Sequence, residues 1–336
     1  MGFTHIADED TWNRLARELP HHGIYQAWSW GELRGGPRTA VRRYALLRGG
    51  RPRAAASIEL RRMARLPWRI AYAPRGPLWM DDGDLEEFLA RLSTDLLRSG
   101  VVHLKVNPSA PEAKSLLPGL GFLRIERPEL TFGGILPSIS ARLSLPPRPQ
   151  DLLGRLEADA RRRVRQSRRR GIEVAREEGV AAVDELYPWL ERNSLRLGFH
   201  LPPRELLRSL ASAWLWRGEG SVLLARHEGE CVGGAICSYF GDEATGHFIA
   251  DDPGRRELSA TYALYAAGLE EALARGCRYF DFGGVRAAAQ EDPLLRFKRQ
   301  FGAFPFHHAG EWNLPLRPEV YSGLALITRG AAARRI

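Results

Sequence analysis

The sequence predicts an α+β protein made of two similar domains with a cleft between them. The chain has 336 residues, of which 44% are hydrophobic, and this length suits two cores of ordinary size. A succession of hairpin, strand, helix and strand occurs twice along the chain. Three prolines at positions 146, 147 and 149 interrupt the chain between the two copies. A duplicated α+β unit predicts two domains of the same kind, and similar halves usually leave a cleft between them.

The first copy starts at residues 41–60, VRRYALLRGGRPRAAASIEL, which predict two strands joined by a Gly-Gly turn. Residues 69–80, RIAYAPRGPLWM, predict a further strand. Residues 85–108, LEEFLARLSTDLLRSGVVHLKVNP, predict an amphipathic helix that ends near Gly100 and a strand after it.

The second copy repeats this order from residues 221–240, SVLLARHEGECVGGAICSYF, with a Glu-Gly turn. Residues 245–252, TGHFIADD, predict a strand, and residues 261–284, TYALYAAGLEEALARGCRYFDFGG, predict a helix and a strand. Gly276 stands where the helix needs a C-terminal cap. The apolar residues of this helix recur at helical spacing on one face: Tyr262, Tyr265, Leu269, Ala272 and Leu273.

A strongly basic helix is predicted between the two copies. The segment DLLGRLEADARRRVRQSRRRGIEV starts at Asp151, which is a suitable N-cap residue. The net charge of the whole chain is +9 and the pI is about 9.9. A charge of this sign favours a polyanionic partner such as a nucleic acid, a phosphorylated substrate or an anionic membrane surface. The alternatives are a solvated basic helix and an arginine bias that reflects base composition or heat adaptation.

Several classes of protein are excluded by what the sequence lacks. It has no apolar run of about 20 residues and no signal-peptide pattern at its start, so we expect a cytoplasmic protein. Its three cysteines have no CxxC spacing, which predicts buried thiols instead of a disulfide framework or a zinc site. The patterns GxSxG, HExxH, Walker A and Rossmann GxGxxG are absent, and no covalent nucleophile is expected.

One lysine stands out because the chain uses arginine almost everywhere else. Of 49 basic residues, only Lys105, Lys114 and Lys298 are lysines. Lys298 lies in RFKRQFGAFPF, with phenylalanines at positions 297, 301, 304 and 306. A lysine among aromatic rings is partly desolvated, and its compact ammonium can approach a developing oxyanion where a planar guanidinium would not fit. The alternative is that Lys298 has no special role.

Two further segments contain candidate site residues. YFDFGGV, residues 279–285, predicts a buried strand that ends in Asp281 and a glycine pair, which lets the backbone approach a ligand or turn sharply. YQAWSWGELR, residues 25–34, places aromatic rings two residues apart. Taken alone, that spacing is most often found in a protein core.

Together these motifs resemble the Fem (FemABX) family of aminoacyl-tRNA-dependent peptidyltransferases, which build the interpeptide bridges of peptidoglycan. The resemblance runs nearly end to end. It rests on YQAWSWGELR, HLKVNP, the basic helix ending in RRRGIEV, RNSLRLGF, and FDFGGV followed by RFKRQFG. It implies two N-acetyltransferase-like (GNAT-related) domains, with the C-terminal segment returning to the first. The short, arm-less type is implied, because no long heptad run is present.

The resemblance also implies the roles of the two domains. Residues 1–143 and 316–336 would bind the precursor, and residues 144–315 would bind the aminoacyl-tRNA end and carry out catalysis. Lys298 would act on the tRNA ester and the transition state, with Phe297 beside it. Arg34 would contact the diphosphate of a nucleotide-linked precursor. The remaining substrate-binding residues would be Gln26, Trp30, Asn107, Arg204, Asp281, Gly283 and Gly284, and the tRNA-binding residues would be Arg161, Arg162, Arg165, Arg168 and Arg169.

At two places the sequence departs from the family pattern or leaves the residue open. Where this chain has Asn107 the family commonly has aspartate, and an amide cannot take a proton at neutral pH, so an acid or base role is not expected there. After RNSLRLGF a basic residue is expected near the acceptor phosphate, and either His200 or Arg204 could supply it.

By resemblance the partners are aminoacyl-tRNA carrying Gly, Ala or Ser and a UDP-linked or lipid-linked muropeptide precursor. Peripheral contact with the inner membrane surface and a monomeric state are also expected, with no cofactor and no metal. Three alternatives stay open: a tRNA-dependent ligase of a specialised-metabolite pathway, a CoA-dependent N-acetyltransferase and a non-catalytic RNA-binding protein. CoA binding needs a glycine-rich R/QxxGxG/A loop, and the equivalent segment here is RELSAT, residues 256–261.

Overall fold

The chain forms two compact units, each built around one β-sheet. The computed structural model describes residues 2–64, 66–126, 130, 136–288 and 291–324. Unit 1 comprises Met1–Arg127 and His308–Ile336, and unit 2 comprises Pro128–His307.

The elements follow one another in two similar series. In unit 1 they are β1 Gly2–His5, α1 Glu9–Glu18, α2 Trp28–Arg34, β2 Thr39–Arg48, β3 Arg51–Arg62, β4 Arg69–Ala73, β5 Leu78–Trp79, α3 Asp82–Arg98, β6 Val101–Val106, α4 Ala113–Leu116 and β7 Leu123–Ile125. In unit 2 they are β8 Ile139–Ser144, α5 Leu152–Arg155, α6 Ala158–Arg169, β9 Ile172–Glu177, α7 Ala181–Leu197, α8 Arg204–Trp216, β10 Gly220–His227, β11 Glu230–Phe240, β12 Glu243–Asp251, α9 Ala260–Ala274, β13 Tyr279–Gly284, α10 Pro293–Arg299 and β14 Phe304–His307. The strand β15, Glu311–Pro315, belongs to unit 1 again.

The sheet of unit 1 has the strand order β1-β2-β3-β4-β6-β15-β7, with β5 paired to β3. All neighbours are antiparallel except β4 and β6, which are parallel. A parallel pair needs a crossover connection, and α3 supplies it. Phe88 and Leu92 of α3 are buried in the core of this unit.

The sheet of unit 2 has the order β14-β8-β13-β12-β11-β10-β9 and again contains one parallel pair, β12 with β13. Here α9 supplies the crossover, and its residues Leu264 and Leu269 are buried with Phe280. The two hairpin turns also match, because Gly49, Gly50, Glu228 and Gly229 all have positive φ. The duplicated α+β unit predicted from the sequence is therefore confirmed.

The boundaries between the units differ from those predicted. Most of strand β8, residues 139–143, lies before the predicted boundary at 143/144, yet the strand pairs with β13 and β14 in the sheet of unit 2. Strand β15 lies before the predicted boundary at 315/316, yet it pairs with β6 and β7 in the sheet of unit 1. The prolines at 146–149 thus separate a strand from a helix within unit 2 instead of separating two domains.

Three local predictions also need correction. The basic segment is not one helix, because the backbone is extended at Leu156 and Glu157, between α5 and α6. The carboxylate of Asp151 pairs with Arg148 at 2.8 Å and does not cap a helix. Cys237 and Cys277 are buried as expected, whereas Cys231 is only partly buried.

Within the part of the chain that the structure describes, no helix is long and apolar enough to cross a membrane.

Candidate active site

Lys298 lies in the last turn of α10, and its side chain is buried in unit 2. Its Nζ donates to the backbone carbonyls of Gly283, at 2.9 Å, and Gly284, at 2.8 Å. Both carbonyls lie at the end of β13, where Gly283 has φ of 79° and a side chain would be strained. Burial lowers the pKa of Lys298 to about 8. The lysine is thus desolvated, as the sequence predicted, and most molecules still carry the charge at neutral pH.

Aromatic rings surround the helix that carries Lys298. The ring centroid of Phe297 lies 5.3 Å from Tyr262, 5.8 Å from Tyr265 and 5.5 Å from Phe301. These contacts fix the position of α10 in the core. Phe304 and Phe306 instead belong to β14; Phe304 is 46% exposed, and the ring of Phe306 lies against Arg142.

Asp281 holds the turn that presents the two carbonyls. Its Oδ1 accepts from the backbone N–H of Gly283 at 2.7 Å, and its Oδ2 accepts from Ser140 at 2.6 Å. Its negative charge also favours the charged form of Lys298, against the effect of burial. Both oxygens are engaged within the protein, so Asp281 supports the Lys298 site, and its direct contact with substrate stays a prediction.

Asp292 is a further site residue that the sequence analysis missed. Its Oδ1 accepts from the N–H groups of Leu294 and Leu295 at the start of α10. Its Oδ2 accepts from those of Arg286 and Ala287 in the loop after β13. Burial alone would raise the pKa of Asp292, but the four donors together hold it below its usual value. The signal was present, because Asp followed by Pro is typical of a helix N-terminus.

In unit 1, most of the YQAWSWGELR motif is structural. Gln26 is fully buried; its Nε2 donates to Pro74 O at 2.6 Å, and its Oε1 accepts from Ser57 N at 2.8 Å. The prediction that Gln26 binds substrate is therefore wrong, because its amide joins two segments of the fold. The guanidinium of Arg43 lies 3.4 Å from the ring centroid of Trp28. Gly31 makes room for it, since a Cβ there would lie 2.4 Å from Arg43 Nη2.

Arg34 and Trp30 remain as candidate site residues at this end of unit 1. Trp30 is partly buried and packs edge-on against Tyr25, with ring centroids 4.7 Å apart. Arg34 is 33% exposed, and its Nε donates to Oε1 of the buried Glu59 at 3.3 Å. Glu59 also pairs with Arg61, so two guanidiniums share one carboxylate. The pairing uses the inner nitrogen of Arg34 and leaves its two terminal nitrogens for an anionic ligand.

Asn107 is almost fully buried, and both ends of its amide contact the protein. Its Oδ1 accepts from Arg75 N at 2.8 Å, and its Nδ2 donates to the Tyr72 hydroxyl at 3.1 Å. Arg75 has φ of 55°, which is unusual for a residue other than glycine. Direct substrate binding by Asn107 is therefore corrected to a supporting role, in which the amide stabilises a strained turn.

Three arginines of the basic helix have no acidic partner among the described residues, although Nη1 of Arg161 donates to the Leu156 carbonyl at 3.0 Å. Arg161, Arg165 and Arg169 follow one another at intervals of four residues, and with Arg162, Ala158 and Gln166 they line a depression of ≈ 540 Å³. We call Arg161, Arg165 and Arg169 the arginine stripe. Arg162 pairs with Asp159. Arg168 lies outside the depression and pairs with Glu270 at 2.9 Å, so its predicted place among the tRNA-binding residues is not supported by the structure.

Arg204 and His200 lie at and before the start of α8. The guanidinium of Arg204 lies 4.8 Å from the ring centroid of Tyr187, and both Arg204 and His200 are exposed. The structure gives no contact between either residue and Lys298 among the described part of unit 2, so their roles stay predictions. Within the described ranges, no group of three or more His, Cys, Asp or Glu residues could hold a metal ion.

The two crossover helices begin beside carboxylates of the chain itself. At α9, Oδ2 of Asp251 accepts from Thr261 N at 3.3 Å, and Ser259 before it has φ of 56°. At α3, Asp81 and Asp82 stand at the N-terminus, and the buried Asp84 pairs with Arg53 at 2.7 Å. A helix N-terminus attracts anions. Since carboxylates are already present at both, neither helix offers a favourable place for a pyrophosphate.

Comparison with known proteins finds similar proteins over much of the chain. The model of the acetyltransferase (GNAT) domain matches residues 155–299. The UDP-N-acetylmuramoylpentapeptide-lysine N(6)-alanyltransferase of Weissella viridescens is 23% identical over 267 residues, which cover 76% of this chain and 79% of that protein. The crystal structure of FemX matches with a TM-score of 0.85 and 17% identity, and the match covers 96% of this chain and 99% of that one. Over most of its length the chain is thus similar to Fem proteins, and its fold is that of two GNAT-like domains.

Other solved structures share this fold. A tandem GNAT protein from the clavulanic acid biosynthesis pathway matches with a TM-score of 0.53 and 16% identity, covering 94% of this chain and 98% of that one. The tandem GNAT architecture and the return of the C-terminal segment to unit 1 are thus as the sequence predicted. The longest helices among the described residues, α3 and α7, have 17 residues each, so no long helical arm occurs in that part of the chain.

Proposed function

We propose that the chain transfers an amino acid, Gly, Ala or Ser, from aminoacyl-tRNA to the side-chain amine of a peptidoglycan precursor's stem peptide. The precursor would be UDP-linked or lipid-linked, and the product would be part of an interpeptide bridge. The observation that supports this most directly is the buried ammonium of Lys298, held by two backbone carbonyls at the end of β13. The activity named for the Weissella viridescens relative supports the same class of acceptor.

The reaction needs few groups from the protein. The amine nitrogen attacks the ester carbonyl carbon, and the carbonyl oxygen becomes an oxyanion. The bond to the tRNA ribose oxygen then breaks, the ribose oxygen leaves with a proton, and the amine nitrogen loses one. Because the ester is already activated, positioning and oxyanion stabilisation supply most of the catalysis. No covalent nucleophile is required.

Lys298 has one N–H left for this task. An ammonium has three donors, and the carbonyls of Gly283 and Gly284 take two of them. These two bonds fix the direction of the third donor before the substrate arrives. Preorganisation of this kind costs no rearrangement when the charge develops on the oxygen.

Arg34 supplies a contact for the acceptor. A diphosphate carries oxygens that match the two parallel donors of a guanidinium. The terminal nitrogens of Arg34 offer such a pair, and Glu59 holds the inner nitrogen so that the fork stays in one orientation. We therefore assign Arg34 to the diphosphate of the nucleotide-linked precursor.

The arginine stripe supplies a contact for the tRNA. Its members lie on successive turns of α6 and project from one face of the helix. A row of guanidiniums on one face suits a nucleic-acid backbone, whose phosphates also follow one another at regular spacing. CoA fits less well, because carboxylates already stand at the N-termini of α3 and α9.

The test is a transfer assay with labelled amino acids. Glycyl-, alanyl- and seryl-tRNA are each incubated with the protein and a UDP-linked pentapeptide precursor that carries a lysine. We expect label in the precursor with at least one of them, and none after ribonuclease treatment. Label that reaches a different amine but not the precursor would favour the specialised-metabolite alternative. Transfer from acetyl-CoA alone would refute the proposal.

A further inference from the structure

A row of polar side chains crosses the sheet of unit 1 beside Arg34. In the strand register Glu59 on β3 is the partner of Tyr72 on β4, and Tyr72 is the partner of Lys105 on β6. Partners in adjacent strands project from the same face of a sheet, with Cβ atoms about 5 Å apart. Glu59 pairs with Arg34, and Lys105 pairs with Glu311 at 3.0 Å. Tyr72 thus lies between two ion pairs.

The direction of the hydrogen bond at Tyr72 follows from the bond at Arg75. The backbone N–H of Arg75 can only donate, and it lies 2.8 Å from Oδ1 of Asn107. The amide oxygen must therefore face Arg75, which leaves the amide nitrogen 3.1 Å from the Tyr72 hydroxyl. That nitrogen can only donate, so the hydroxyl oxygen accepts. The hydrogen of Tyr72 is then directed elsewhere.

This hydrogen has no acceptor within the described residues of the chain. The Asn107 amide is the one hydrogen-bond partner found there for the Tyr72 hydroxyl, although Tyr72 is only 8% exposed. Burial raises the pKa of Tyr72 above its usual value, so the hydrogen is retained at neutral pH. A buried hydroxyl hydrogen without an acceptor costs free energy, and native proteins normally provide one. The position beside Arg34 suggests that a ligand does so here.

We propose that the Tyr72 hydroxyl donates a hydrogen bond to an oxygen of the acceptor precursor, and that Asn107 is the positioning residue that directs this bond. The oxygen belongs to a group that only accepts: a phosphate of the diphosphate, or a carbonyl or carboxylate of the stem peptide. The inference rests on the proposed function, because the precursor is the ligand. It adds to Arg34 a second contact on the same face of the sheet, one that is neutral and directional.

Two single variants and their combination test the proposal. Tyr72→Phe removes the hydroxyl and keeps the ring. In Asn107→Asp both oxygens accept, so the carboxylate can take the Arg75 N–H and the Tyr72 hydrogen together, which reverses the bond. Calorimetric titration with the full UDP-linked pentapeptide precursor should show Kd raised about tenfold by either change. In steady-state transfer KM should rise and kcat at saturating precursor should stay the same. Thermal unfolding confirms that each variant is folded.

The double variant tests whether Asn107→Asp acts through the direction of the Tyr72 hydrogen bond or by disturbing the site in another way. In the Tyr72→Phe background there is no hydroxyl to reverse, so adding Asn107→Asp should leave Kd unchanged. Titrations with UDP alone and with the free pentapeptide locate the oxygen, since only the probe that carries it should lose affinity in Tyr72→Phe. Wild-type affinity for the full precursor in Tyr72→Phe would overturn this inference alone. Wild-type protein that binds none of the three probes would overturn the proposed acceptor and this inference together.

Discussion

Replacing Lys298 by methionine should slow transfer strongly and leave stability at neutral pH nearly unchanged. The rate should fall by about 10²- to 10³-fold, the usual effect of losing one oxyanion donor. For stability, two effects compete. Holding a charged lysine at a site where its pKa is about 8, against 10.5 in water, costs roughly 3 kcal/mol, which methionine removes. Methionine also leaves the carbonyls of Gly283 and Gly284 without their donor, at about 1 to 3 kcal/mol each.

The pH dependence of stability distinguishes this account from an ordinary loss of packing. The pKa of Lys298 is lower in the folded state, so the unfolded chain binds more protons between about pH 8 and pH 10.5. Wild-type stability should therefore gain, through this residue, roughly 3 kcal/mol as the pH rises through that window, and Lys298→Met should lack the gain. Denaturant unfolding across the window measures the difference, and single-turnover transfer measures the rate. Near-normal turnover in a folded Lys298→Met variant would refute the assignment.

The other predictions concern the acceptor, the tRNA and the support of α10. Arg34→Ala should raise the KM of the precursor by roughly 10- to 150-fold, equivalent to about 1.5 to 3 kcal/mol, and spare kcat; a fall in kcat with unchanged KM would place the acceptor site elsewhere. Replacing the arginine stripe by glutamine should flatten the plot of log affinity for aminoacyl-tRNA against log salt by up to about 0.7 per arginine. Arg168→Gln is the matched control, since Arg168 already pairs with Glu270, and an equal effect of both would contradict the assignment. Asp292→Asn should lower stability by about 1 to 3 kcal/mol at neutral pH. The pKa of the native carboxylate lies below the usual 3.8, so the difference from wild type should shrink only as the pH falls below that value; a difference that does not depend on pH there would contradict the role of its charge.

The repeated architecture could be predicted because its signals are local. Each hairpin turn is encoded by two neighbouring residues that accept positive φ, and each crossover helix by its own spacing and its terminal glycine. The sheet to which β8 and β15 each belong could not be predicted. The pairing of a strand depends on contacts with residues that are distant in the sequence. The prolines at 146, 147 and 149 predict an interruption of regular structure, but they do not indicate whether it separates two domains or two elements of one domain.

The residues of the candidate site also differ in how far the sequence could predict their roles. Lys298 could be selected from the sequence by its rarity and its aromatic neighbours, yet the carbonyls that hold it became visible only in the fold. Gln26 looked equally suitable as a ligand-binding residue until its amide was found bonded to Pro74 and Ser57. The arginines of α6 are alike in sequence, and only the tertiary placement of Glu270 distinguishes Arg168 from its neighbours. Side-chain chemistry indicates what a residue can do, and its partners in the fold decide whether it is available.

A donor competition tests the central claim most directly. The protein is given the UDP-linked pentapeptide precursor with a mixture of charged tRNAs and acetyl-CoA in the same tube, and the precursor's mass is measured afterwards. The account predicts a gain of one aminoacyl residue on the stem-peptide amine, lost when the tRNAs are deacylated beforehand and lost with Lys298→Met. An acetylated precursor, or an unmodified one with every charged tRNA and folded wild-type protein, would contradict it.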